Sequence, residues 1–106
     1  MSEAQQLQRE KEITTIMEAT AARLTKERVD DPEAYEAIMH EVEEGLKKTH
    51  GIVEMEMDGD PLEGDAGTLW IRWDHDEIDG EYSEIEGDMA YDEEEGRWEF
   101  ENRGFT

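Results

Sequence analysis

The sequence predicts an α+β domain: two N-terminal helices packed on one face of a four- or five-stranded antiparallel sheet. Three observations lead there. Apolar residues recur at helical spacing as far as Leu46, the period changes to two after Gly51, and most of the links between the later segments are short turns. The length of 106 residues suits one domain, with residues 1–6 expected to fray, 7–50 forming the helical half and 51–106 the sheet.

Taken in order, Ile13, Ile16, Met17, Ala21 and Leu24 make the apolar stripe of the first helix, with Glu10, Glu12, Glu18, Arg23 and Glu27 largely off that stripe. The second helix has a start signal in Asp31 as N-cap, Pro32 at the first helical position and Glu33 in the first turn. Tyr35, Ile38, Met39, Val42 and Leu46 form its stripe; Lys47 and Lys48 suit the negative end of the helix dipole, and Gly51 ends it. Beyond Gly51, Val53, Met55 and Met57 alternate with Glu54 and Glu56, and Leu69, Ile71 and Trp73 alternate with Trp70 and Arg72. Further extended segments are expected at 81–85, 88–91 and 97–101. Turn chemistry separates them at Asp58-Gly59-Asp60-Pro61, Asp79-Gly80, Glu86-Gly87-Asp88 and Glu95-Gly96.

Charge is the dominant feature. The formal net charge is -22, and it is unevenly spread. Residues 1–50 hold 12 acids against 7 Lys/Arg, whereas residues 51–106 hold 20 acids against 3 Arg. Between Asp74 and Glu95 there are 12 Asp/Glu and no Lys or Arg. Like charges facing one another across a sheet destabilise it, so a sequence shaped by stability alone would intersperse cations. With no Cys, disulfides and thiolate metal sites are excluded. The N-terminus lacks the basic-then-apolar build of a signal peptide, and no apolar run reaches membrane-spanning length, so a cytoplasmic location is expected.

Residues two apart on a strand share a face, at about 6.6 Å. Glu54 with Glu56, and Glu99 with Glu101, are expected to point away from the core in this way. Asp74, Asp76, Glu77, Asp79, Glu81, Glu84, Glu86, Asp88 and the run Asp92-Glu93-Glu94-Glu95 decorate the adjoining strands and turns. Such an array approximates the phosphate edge of a duplex. Proteins that grip nucleic acid draw much of their affinity from Lys and Arg contacts to phosphate, so a basic nucleic-acid-binding protein is the expected partner. Trp70, alternating with core-facing residues, is the aromatic expected to add affinity. In general character the chain resembles the acidic DNA-mimic inhibitors of phages and mobile elements, among them antirestriction, anti-CRISPR and uracil-DNA glycosylase inhibitor proteins. The glycosylase inhibitors also place helices before an antiparallel sheet. No motif of those families is present, so the resemblance transfers no residue roles.

Three other readings compete. Adaptation to molar salt also enriches acids and depletes Lys, and only 4 of the 10 basic residues are Lys; yet salt adaptation should act on the whole surface, and the helical half is nearly ordinary. A calcium site is suggested by Asp74-His75-Asp76-Glu77-Ile78-Asp79-Gly80, but the next acid and the Gly arrive one residue late and Ile85 stands where a bidentate Glu is needed. Catalysis has no nucleophile motif, phosphate loop or paired carboxylates set apart from the rest, so no enzyme activity, cofactor or metal is expected. Direct nucleic-acid binding is opposed by 20 acids against 3 Arg in the second half.

Overall fold

The computed structural model describes residues 3–74 and 81–106. Helices α1 (Glu3–Lys26) and α2 (Pro32–Thr49) precede strands β1 (Glu54–Asp58), β2 (Gly67–Asp74), β3 (Tyr82–Asp92) and β4 (Arg97–Phe105), with one 3-10 turn at Pro61–Glu63. The strands form one antiparallel sheet in the order β1-β2-β3-β4, each beside its neighbour in sequence. Both helices cover the same face of it. No helix among the described residues is long and apolar enough to cross a membrane.

The helical stripes do what their spacing implies. Ile13, Met17, Ala21 and Leu24 of α1 and Tyr35, Ile38, Met39 and Leu46 of α2 are buried, while Ile16 and Val42 pack at the margin. The Asp31 carboxylate accepts from the Glu33 N–H at the head of α2, and Gly51, with φ +66°, turns the chain out of it. The end of α1 was not marked by a Gly. Arg28 takes the left-handed conformation there (φ 55°), the Arg28 and Val29 N–H groups donate to the Thr25 and Leu24 carbonyls, and Val29 is buried. This is a Schellman ending built on a non-Gly residue.

Three expectations need correction. Residues 3–6 are helical rather than frayed, because Gln6 is buried and its Oε1 accepts from Trp73 Nε1, which ties the first turn of α1 to the sheet. Glu86-Gly87-Asp88 is not a turn. Residues 82–92 form a single strand, so the sheet has four strands, and Gly87 serves a close approach: a Cβ there would lie 2.4 Å from Phe100 Cζ. The register slips at this point, with Glu86 opposite Gly104 but Gly87 opposite Asn102, leaving Arg103 as the extra residue of a bulge in β4. Finally, Val53 and Met57 are largely exposed and only Met55 of their series is buried, because β1 lies at the edge of the sheet beyond the helices' cover.

Helix α1 runs beside β4. Thr25 Oγ1 accepts from the Trp98 backbone N–H at 2.8 Å, Trp98 Nε1 donates to the Val29 carbonyl at 3.1 Å, and Asn102 Nδ2 donates to Glu10 and Thr14. Tyr35 stacks on Trp98 with ring centroids 5.0 Å apart, which brings α2 to the same end of the sheet.

Candidate functional site

The candidate site is the sheet face that the helices leave open. Pairing fixes its rows: Glu54 beside Arg72 and Glu84, Glu56 beside Trp70 and Glu86, Asp58 beside Thr68 and Asp88. Asp88 continues to Glu101, Ala90 stands beside Glu99, and Asp92 beside Arg97. Because alternate residues share a face, Glu54, Glu56, Asp58, Asp74, Glu84, Glu86, Asp88, Asp92, Glu99 and Glu101 put ten carboxylates on this surface against three Arg. Along a strand these side chains stand about 6.6 Å apart; across strands Asp88 faces Glu101 directly at about 4.8 Å, while Glu54, Glu56 and Asp58 stand two strands, about 9.6 Å, from Glu84, Glu86 and Asp88. These spacings lie within or close to the Debye length of about 8–10 Å, so an approaching charge feels their summed field.

The face is internally ordered. Arg72 is its hub: Nε bonds Glu84 Oε2 at 2.5 Å, and Nη1 bonds Glu54 and Glu56, each at 3.1 Å. Hydrogen bonding to Glu84, then to Glu56 and Glu54, holds the guanidinium above its ordinary basicity. One cation for three anions still leaves two charges unbalanced. Trp70 Nε1 donates to Glu86 Oε1 at 3.0 Å, and Asp88 accepts from Thr68 and from Arg103. Arg97 pairs with Glu99 at the turn. Glu54, Glu56, Glu84, Glu86 and Asp88 are thus held by cross-strand partners, which fixes their spacing.

Of the residues expected to make the site, Glu54, Glu56, Trp70, Asp74, Glu84, Glu86, Asp88 and Asp92 share this face. Glu81 lies at the mouth of β3, and Glu93, Glu94 and Glu95 occupy the turn between β3 and β4, where Asp92 accepts from the Glu94 and Glu95 N–H groups. Asp76, Glu77 and Asp79, with most of the calcium-like motif, lie outside the described residues. Among the described residues no group of three or more His, Asp or Glu is placed to hold a metal ion. Trp70 lies on the open face, half-buried by its neighbours, instead of under a loop.

Sequence reasoning missed three things. Asp58 belongs to the face although its Asp-Gly context reads as a turn, and Tyr82, 60% exposed opposite Asp74, adds a second aromatic. It also missed that all three Arg of the second half, Arg72, Arg97 and Arg103, concentrate on the acidic face as counter-charges. The alternation that places Trp70 outward places Arg72 outward as well, so that signal was present. No protein-family model matches this chain, and no curated protein and no solved structure matches it either.

Proposed function

We propose that the chain is an acidic nucleic-acid mimic that acts in the cytoplasm, without catalysis, by occupying the basic DNA- or RNA-binding site of a partner protein. The observation that carries this reading is the open sheet face, on which ten carboxylates outnumber three Arg while both helices pack on the opposite side. A helix-backed sheet supplies the stiffness that a disordered acidic tail lacks, so the ordering cost of binding is largely absent. The longest strand of the face, β3, has 11 residues and so spans about 33 Å. One turn of duplex covers about 34 Å. Long-range attraction speeds encounter, and the exposed faces of Trp70 and Tyr82 supply contact area.

The test is competition. Proteins captured on the immobilised chain in dilute buffer should be released by duplex DNA or RNA in proportion to its concentration, and binding should weaken steeply as salt rises. Glu94 and Glu101 form no ion pair among the described residues, so Glu94→Gln with Glu101→Gln should leave the fold intact while reducing affinity by about tenfold. Captured proteins that duplex DNA and RNA fail to displace would sink the proposal.

A further inference from the structure

We infer that the free edge of β1 is a docking site for an extended segment of a partner protein in which Lys or Arg alternates with apolar residues, joining the sheet as a further strand. The two edges of this sheet are unlike. On β4 the bulge at Arg103 breaks the regular pairing, α1 lies alongside, and the Trp98 N–H is taken by Thr25. Arg97 and Arg103 stand at its ends. These are recognised defences of an edge strand. On β1 the one such defence is negative charge: its pairing with β2 is regular from Glu54 to Asp58, no helix covers it, and four of its five residues are exposed. No described strand pairs with its other side.

The side chains at this edge state what it accepts. On the open face stand Glu54 and Glu56, which share Arg72 with Glu84 and so keep negative charge to spare. On the helix-side face stands Met57, 41% exposed, and Val53, 48% exposed, leads into the strand. An incoming antiparallel strand would set its cations against the two Glu and its apolar residues against Met57, while the backbones bond each other. The same carboxylates repel a second copy of this chain, whose net charge is -22, so the edge is closed to self-pairing and open to a cationic strand.

This goes beyond the mimic reading, which concerns the face rather than its rim, and the two fail separately because the probe here is a peptide and involves no nucleic acid. The probe is an eight-residue peptide of alternating Lys and Val, titrated into the full chain at moderate salt. Its control carries Pro at the two central Val positions, which keeps the charge and removes two ladder donors. The expected result is that the Pro control binds at least about tenfold more weakly. The alternating peptide should also slow amide hydrogen exchange at residues 53–57, and Glu54→Gln with Glu56→Gln should weaken it. Equal binding of the two peptides, or no change in exchange along β1, overturns the inference.

Discussion

Arg72 is the residue on which the open face depends most. Its guanidinium bridges β1 and β3 across β2, and without it Glu54, Glu56 and Glu84 would stand side by side without a counter-charge. Replacing it with Met keeps the aliphatic stem and removes the charge. Arg72→Met is expected to cost about 1–2 kcal/mol in urea unfolding at low salt, from three lost ion pairs and the repulsion they suppressed. Raising salt should shrink that loss, since the repulsion is screened; a loss independent of salt would mean packing, not charge, is Arg72's role. Tyr35 makes a different kind of contribution. Burial first, and the nearby Asp60 charge second, push its phenol far above the ordinary value of 10.0. A raised folded-state value means the neutral form is the one the fold holds. The contribution is therefore complete below about pH 10 and is lost as pH climbs from there through the folded-state value. Comparing the parent with Tyr35→Phe at pH 8 and pH 11 isolates this contribution: the parent should lose more stability over that interval than the variant.

At the scale of the elements, β3 shows how one glycine sets a register. The Phe100 ring lies where a side chain at position 87 would stand, and the Glu101 carbonyl lies 2.8 Å from the same point. Gly87→Ala must push both away, at a cost of about 1–3 kcal/mol. A thermal melt of that variant matching the parent would mean that the bulge tolerates a side chain. This glycine also explains why the strand count stayed open in the sequence. Glu-Gly-Asp between two alternating segments is turn chemistry, and only the neighbouring strand reveals that the glycine is there for room rather than for bending. The helices were more transparent, since their stripes and the Asp31-Pro32 start are local signals. Gln6 was not, because its acceptor role depends on Trp73, far along the chain. The open face was half transparent: alternation gave the outward direction of Glu54, Glu56, Trp70 and Glu84. The pairing that gathers them around Arg72 is long-range, and spacing alone does not encode it.

For the whole molecule, the question is whether the net charge of -22 reflects a requirement for concentrated salt or a surface built for a partner. The structure bears on this through distribution. In the helical half acids meet cations: Arg23 pairs with Glu27 and Glu41, and Lys47 with Glu43 and Glu44. In the sheet half the counter-charges are three Arg, all turned to the face where the acid is densest. That pattern lowers repulsion enough for the sheet to form while leaving the face negative. A chain so arranged should fold in dilute buffer, because the helix-side core of Ile13, Leu24, Met39, Ile71, Trp73 and Met89 does not depend on salt. Adding salt should then raise the melting temperature modestly as self-repulsion is screened, with most of the gain complete by about 0.3 M, where the Debye length has fallen below the spacing of neighbouring carboxylates. Circular dichroism melts in 20 mM, 0.3 M and 2 M NaCl make the measurement. A helical and sheet spectrum already present at about 20 mM, with little further gain between the two higher concentrations, is the expected outcome. An unfolded chain in dilute buffer that recovers only in molar salt would instead assign the acidity to solvent adaptation, and the open face would need no partner to explain it.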